Sequence, residues 1–269
     1  MRLLCLGVGL VAVAAVSACN APVNESRNWK DLEVAAENGN SKSLDRLRVG
    51  AELGDAKAQF QLGYFYVEHQ VKADQYKPGG DVFTPNPVQM ADYAEAEKWW
   101  RRAAEQGDPV APQELGVLAT TPFGKSGRRE EEAYAEEVKW YRMAAERGRT
   151  EAQYQLGYLY IMETVNSNVM RYKNPHTVSR AEAFKWLRTA ARHGHAVAQY
   201  WLAELYSEPK LGQAAPNYED AYFWLTVCAQ KLEGCQPSVL SQHLSPAQIA
   251  VFKKRAAEWK PLPPNAPGQ

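Results

Sequence analysis

Few residues in this chain have the types and spacing that catalysis requires. Gly124-Lys125-Ser126 matches the end of a phosphate-binding loop, but Ala119 stands where that loop needs its first glycine. Without this glycine the main chain cannot wrap around a phosphate. The sequence also lacks the Gly-x-Ser-x-Gly turn with which many hydrolases present a nucleophilic serine. These motifs therefore give no support for an enzymatic function.

The histidines and acidic residues do not form a metal-binding pattern either. His193 and His195 flank a predicted helix end, and neither has a cysteine or carboxylate at a zinc-motif spacing. The acidic run Glu130-Glu131-Glu132 is typical of a solvated helix start, where negative charge favours the positive end of the helix dipole. Lys plus Arg and Asp plus Glu are equal at 31 each, unlike the basic balance of a nucleic-acid-binding protein. We predict a protein that is not an enzyme, with no metal, no cofactor and no nucleic-acid partner.

The first residues indicate export. Met1 and Arg2 precede an apolar run from Leu3 to Val16, which ends in small residues. This arrangement is typical of a secretory signal peptide. The run is shorter than the roughly 20 residues that span a bilayer, so a short transmembrane anchor is the less favoured alternative. We predict that residues 1–18 are removed.

Val16-Ser17-Ala18-Cys19 resembles the lipobox of bacterial lipoproteins. The resemblance implies that Cys19 becomes the first residue of the mature chain and carries the lipid. Asn20 follows it; an aspartate there would resemble the signal for retention in the inner membrane. We therefore expect a periplasm-facing protein that is held by lipid in the outer membrane.

Two further cysteines, Cys228 and Cys235, would then lie in an oxidising compartment. One continuous helix through both would hold their Cα atoms about 10 Å apart, beyond the roughly 7 Å that a disulfide tolerates. Gly234 precedes Cys235 and could end the helix and turn the chain back. We predict a structural Cys228–Cys235 disulfide; two buried free thiols are the alternative.

The chain contains two recurring segments. Segment A has apolar residues at i, i+4 and i+7, a spacing that makes one stripe on a helix. Its copies are residues 58–66, 152–160 and 198–206, with a weaker copy at 111–118. Segment A also carries small residues, Gly63, Gly116 and Gly157, that would let a neighbouring helix approach closely.

Segment B combines an aromatic residue with an Ala-Ala pair and a following glycine. The glycine is predicted to end the helix in a left-handed cap. One tryptophan position recurs in every copy, and we predict that it packs in the core instead of binding a ligand. The copies are residues 98–108, 139–148, 185–194 and the drifted 223–229; their tryptophans are Trp99, Trp140, Trp186 and Trp224, and their glycines Gly107, Gly148 and Gly194.

Together the two segments, from about Ser43 to Cys235, resemble the Sel1-like repeat, a relative of the tetratricopeptide repeat. The resemblance implies an all-α fold, an α-solenoid of antiparallel helix pairs that scaffolds protein complexes. The glycine marks Gly54, Gly107, Gly148 and Gly194 are farther apart than in the family. Long insertions are therefore expected between the helices of each pair, at 67–91, 119–131, 161–179 and 207–217.

The predicted organisation has four parts. The signal peptide (1–18) is followed by a tether (19–28), the repeats (29–235), and a C-terminal capping helix with a proline-rich tail (236–269). Ser245 and Pro246 suit the N-cap and the first position of this last helix.

Polar and aromatic residues beside the core stripe of segment A are the candidate partner-binding residues. Tyrosine and tryptophan there are good anchors for a protein, although they could instead pack one helix against the next. The candidates are Gln61, Tyr64, Glu68, Gln155, Tyr158, Trp201 and Glu204.

We therefore expect a lipoprotein that binds a protein partner. Two roles remain open within this expectation. One is an immunity protein against a type VI secreted, phospholipase-type toxin, a role that some Sel1-like lipoproteins resemble. The other is a scaffold or regulator of an envelope complex. An envelope hydrolase is less favoured, because no nucleophile–base set is recognisable.

Overall fold

A computed structural model describes residues 28–74, 87–121, 124, 128–165, 180–208 and 215–263. Within these ranges every regular element is a helix, which confirms the all-α prediction. Cys19, the signal peptide and the tether up to residue 27 lie outside the described residues, as do Lys125 and Ser126 of the loop-like motif. No described helix is both long and apolar enough to cross a membrane.

The chain divides into two compact units, Met1–Ala111 and Pro112–Gln269. In the first unit each helix packs against the next, and α1 also contacts α3. Its helices are α1 (Trp29–Glu37), α2 (Ser41–Glu52), α3 (Ala56–Asp74) and α4 (Pro87–Glu105).

The second unit repeats the same arrangement. From α6 onward each α-helix packs against its successor, so that its core is built from successive helix pairs. Its elements are α5 (Ala111–Thr120, whose first residue belongs to the first unit), α6 (Glu130–Glu146), α7 (Thr150–Val165), α8 (Arg180–Arg192), α9 (Ala196–Ser207), α10 (Tyr218–Cys228), a 3-10 helix (Pro237–His243) and α11 (Pro246–Glu258).

The recurring glycines end helices as predicted. Gly148 has a φ of 82°, and its N–H bonds to Ala145 O at 3.0 Å while Arg149 N–H bonds to Ala144 O at 3.1 Å. This pair of bonds is a Schellman motif, which requires a left-handed residue and so favours glycine. The same bonds occur at Gly54, Gly107 and Gly194, and also at Gly39, which the repeat pattern did not single out.

The helices of a pair approach closely at the glycines of segment A. A Cβ added to Gly116 would lie 2.7 Å from Tyr141, and Gly63 and Gly157 face Trp100 and Leu187 in the same way. The predicted close approach is confirmed. The recurring tryptophans of segment B are buried as predicted: Trp99, Trp140, Trp186 and Trp224.

A buried glutamine joins consecutive helix pairs, a feature that was not predicted from the sequence. Gln153 Nε2 donates to Ala145 O at 3.2 Å. The equivalent residues Gln59 and Gln199 donate to Ala51 O at 3.0 Å and Ala191 O at 3.1 Å. Each amide thus bonds a carbonyl at the end of the preceding helix, where carbonyls lack intrahelical partners. The recurring Ala-Gln pair that opens segment A was the available signal.

The helices extend into the predicted insertions. α3 continues to Asp74 and α7 to Val165, although the insertions were expected from Val67 and Ile161. Residues 67–74 and 161–165 contain no proline or glycine that would end a helix. After Val67, the first proline is Pro78 and the first glycine is Gly79. α4 begins at Pro87, and proline is favoured at the first position of a helix.

The predicted disulfide between Cys228 and Cys235 is present, with their Cα atoms 5.8 Å apart. Both residues are buried. The expected role of Gly234 was wrong, because α10 already ends at Cys228. Bonds from Lys231 N–H and Leu232 N–H to Cys228 O turn the chain there.

The C-terminal helix α11 begins at the predicted residues. The Ser245 hydroxyl accepts from Gln248 N–H at 3.3 Å, and the Gln248 side chain accepts from Ser245 N–H at 2.9 Å. This reciprocal pair is a capping box, and Pro246 occupies the first helical position.

Candidate protein-binding surfaces

A continuous group of half-buried aromatic rings lies on α7 and α9 of the second unit. We call Tyr154, Tyr158, Tyr200 and Trp201 the aromatic strip. The ring centroids are 5.9 Å apart for Tyr154 and Tyr158, 5.4 Å for Tyr158 and Trp201, and 5.7 Å for Tyr200 and Trp201. All four side chains are partly exposed. Tyr154, Tyr200 and Trp201 pack against the core of the second unit, and the strip leaves part of its aromatic surface exposed.

The repeat explains how the strip forms. Tyr154 and Tyr158 are four residues apart, so they lie one above the other on α7. Tyr200 takes the position of Tyr154 in the next copy, and Trp201 follows it. Leu156 and Leu202 share one repeat position and are fully buried, so they fix which face of each helix points toward the core.

Polar groups lie among the rings of the strip. Burial raises the pKa of Tyr154, and the nearby Trp201 indole opposes this rise. The Tyr200 hydroxyl lies near the carboxylate of Glu204, one turn along α9. Burial raises the pKa of Glu204, the Tyr200 hydroxyl lowers it, and the nearby charge of Glu208 raises it. Glu204 is thus a partly desolvated carboxylate beside aromatic rings.

His195 supports one end of the strip. Its Nδ1 accepts from Ala198 N–H at 3.1 Å as an N-cap, and the carboxylates of Asp55 and Asp108 accept from the N–H three residues later in the same way. Because Nδ1 accepts, the ring hydrogen lies on Nε2, which bonds to Glu151 at 3.0 Å. The imidazole also stacks on Tyr154 at 4.5 Å. His195 therefore has a structural role that the sequence did not reveal.

The described part of the chain contains no group of side chains that could bind a metal ion. No three His, Cys, Asp or Glu side chains lie close enough there to share an ion.

The candidates of the first unit are arranged differently. Tyr64 lies 5.1 Å from Phe60 and 5.7 Å from Trp100, measured between ring centroids, and Lys30 Nζ lies 5.6 Å from the Tyr64 ring. Gln61 and Glu68 are half-buried on the same helix. Tyr64 thus packs α3 against α4 and α1, which is the alternative role considered for these residues.

The structure brings together only some of the predicted residues. Tyr158 and Trp201 are in contact, and Glu204 lies on the same helix as Trp201. Gln155 Nε2 donates to Glu151 at 2.8 Å, which places it beside the His195 network. Tyr154 and Tyr200 were not predicted from the sequence, although both share one repeat position with Phe60. Partner binding by all of these residues stays a prediction.

Comparison with known families agrees with this architecture. The model of the Sel1 repeat matches residues 56–75, 89–108, 138–148, 150–164, 174–195 and 196–226. These segments follow α3 to α4 and α6 to α10, so that the matched repeats and the observed helix pairs coincide. No curated protein matches the sequence significantly.

Two solved structures share the fold. One is a protective antigen of uropathogenic Escherichia coli that displays an SLR fold, with a TM-score of 0.58 and 22% identity over 91% of this chain and 48% of that one. The present chain thus spans about half of that antigen. The other is a Sel1 repeat protein from Oxalobacter formigenes, with a TM-score of 0.52 and 22% identity over 91% of this chain and 94% of that one. The repeats, the helix pairs and these matches together identify the chain as a Sel1-like repeat protein.

Proposed function

We propose that this protein works by binding a protein partner through the aromatic strip of the second unit. Sel1 repeat proteins generally bind protein partners. The observation that carries the proposal is the contact of half-buried Tyr158 with half-buried Trp201 across two helices. Tyrosine and tryptophan in such partly exposed clusters supply much of the binding energy of protein interfaces.

The side chains of the strip are also preorganised for binding. The stacking of His195 on Tyr154 and the ring contacts of Tyr158 with Tyr154 and Trp201 restrict the ring positions. A surface that is already ordered loses less side-chain entropy when it binds.

Pull-down experiments with the full chain test the proposal. A tagged chain isolated from solubilised envelope would be compared with Trp201→Ala and Tyr158→Ala, and its partners identified by mass spectrometry. We expect each variant to lower partner affinity roughly tenfold or more, since anchor residues contribute about 2 kcal/mol. Val251→Ala, which alters an exposed apolar residue of α11, is the control. Undiminished capture by both strip variants would contradict the proposal.

We also propose that lipid at Cys19 holds the protein in the outer membrane, facing the periplasm. The lipobox-like residues Val16 to Cys19 and the apolar run before them support this location. More than one acyl chain is needed for firm anchoring. A partner would then be sought among periplasmic and envelope proteins.

The resemblance to Sel1-like lipoproteins supports an immunity role against a phospholipase-type toxin. Co-expression of the chain with a phospholipase effector encoded beside it would test this role. Protection that depends on Trp201 supports immunity. A captured partner that is an envelope assembly component, without protection, supports the scaffold role.

A further inference from the structure

In the first unit a lysine of α1 contacts a tyrosine of segment A. Tyr64 and Tyr158 are equivalent residues of segment A. Lys30 Nζ lies 5.6 Å from the Tyr64 ring centroid, within the range of a cation–π contact. The same ammonium group lies 2.5 Å from Glu33 Oε2. An aromatic ring and a carboxylate together thus hold a lysine there.

The second unit has the ring and a carboxylate, but they are arranged around a partly exposed tryptophan. Tyr158 contacts Trp201 at 5.4 Å, and tryptophan is the best of the aromatic side chains for binding a cation. Glu204 lies one turn further along α9 and occupies the repeat position of Tyr158. Carboxylate and indole are therefore neighbours on one helix face.

The charges around the strip are negative. Burial and the charge of Glu204 raise the pKa of Tyr200, and burial, Tyr158 and the charge of Glu151 raise that of Tyr154. Glu208 adds a third carboxylate beside Glu204. His195 Nε2 bonds to Glu151, and its Nδ1 accepts from the main chain. A positive group would therefore be favoured at this surface over a negative one.

From these observations we infer that the aromatic strip receives a basic side chain, lysine or arginine, of the protein partner, with Glu204 as its counter-charge. The inference rests on the proposed function and adds the chemistry of the partner to it. Trp201 and Tyr158 would contact the cation with their rings, as Tyr64 contacts Lys30. A partly desolvated carboxylate gains most from such a pairing, because it has already lost part of its hydration.

Fluorine NMR of the full chain labelled with 5-fluorotryptophan tests the inference directly. The resonance of Trp201 is assigned with Trp201→Phe, and the probes are N-acetyl-arginine amide and N-acetyl-lysine amide. One cation–π contact with a counter-charge supports only millimolar affinity, so the titration extends to about 50 mM at low ionic strength. We expect a saturable shift of the Trp201 resonance with both probes. The neutral analogues N-acetyl-citrulline amide and N-acetyl-norleucine amide should leave it in place.

Two variants that each replace one carboxylate by an amide test whether the charge of Glu204 contributes to binding of the cation. Glu204→Gln should weaken binding of the arginine probe at least threefold, whereas Glu233→Gln, at an exposed carboxylate of the same unit, should not. A shift of equal size with citrulline, no shift with either cation, or unchanged affinity in Glu204→Gln would overturn the inference. In each of these cases loss of the captured partner in Trp201→Ala would still support the proposed function. Retained capture would contradict that function separately.

Discussion

Gly157 of α7 lies directly against Leu187 of α8. A Cβ added to Gly157 would be 2.7 Å from Leu187 Cγ and 3.0 Å from the Leu187 main-chain nitrogen. The main chain of a buried helix cannot move aside cheaply, so Gly157→Ala should destabilise the second unit by about 1–3 kcal/mol. This loss exceeds the gain of about 1 kcal/mol that alanine brings to a helix. Urea denaturation followed by circular dichroism measures the difference.

Gly234→Ala is the matched control for this prediction. Nothing lies within 4 Å of a Cβ added there, and Gly234 is not among the glycines with positive φ. Its replacement should therefore change stability by less than about 0.5 kcal/mol or raise it slightly. Equal effects of the two substitutions would refute the close-packing argument.

The stability of the first unit should depend on the protonation of Glu33. Burial raises its pKa from 4.5 to about 7, the hydrogen bond of the protonated carboxyl with Glu37 and the charge of Glu37 add to the rise, and Lys30 opposes it. The folded chain thus holds this proton more tightly than the unfolded chain does. The stability that the group contributes is present in full below pH 4.5 and is lost as the pH rises through about 7.

Glu33→Gln should remove this dependence, because glutamine resembles the protonated acid. Its stability advantage over the natural chain should grow by about 1–3 kcal/mol between pH 4.5 and pH 8. Thermal unfolding at several pH values provides the measurement. Glu52→Gln, at an exposed carboxylate of α2, should show a difference that does not vary with pH. If the stability difference between Glu33→Gln and the natural chain is also independent of pH, the proposed linkage is excluded.

The Cys228–Cys235 disulfide should stabilise the second unit modestly. Closing a loop this small stabilises the folded chain by about 2.5 kcal/mol at most. The double variant Cys228→Ser, Cys235→Ser should lose no more stability than this, apart from the cost of burying the two hydroxyls. Thiol labelling of the unfolded, unreduced mature chain should find neither cysteine reactive. Two reactive thiols per chain, in protein purified without reductant, would show that the bridge does not form.

Cys19→Ser should abolish membrane attachment or processing, because Cys19 is the proposed acyl acceptor. Cell fractionation and mass spectrometry of the mature N-terminus measure both effects. Cys5→Ser lies within the predicted signal peptide and is expected to leave attachment intact. A Cys19→Ser chain that matures and fractionates as the natural chain does would exclude the lipoprotein proposal.

The sequence alone was sufficient for the elements whose signals are local. Gly107, Gly148 and Gly194 follow each Ala-Ala pair at a fixed distance, and only glycine adopts the left-handed cap without strain, so the helix ends could be predicted residue by residue. The apolar spacing of segment A predicted which face is buried, because a helix repeats every 3.6 residues. The C-terminal ends of α3 and α7 were less predictable, because residues 67–74 and 161–165 contain no proline or glycine that would end a helix.

Tertiary structure decided what the remaining side chains do. Tyr64 and Tyr158 are equivalent in the sequence and both are half-buried. Tyr64 contacts Trp100 and Lys30, whereas Tyr158 contacts the half-buried Trp201 of the next repeat. The role of His195 as an N-cap stacked on Tyr154 likewise depends on two helices that are far apart in the chain. Periodicity specifies the face of a helix on which a residue lies. Whether that face is covered depends on which other helix packs against it, and that is a property of the folded chain.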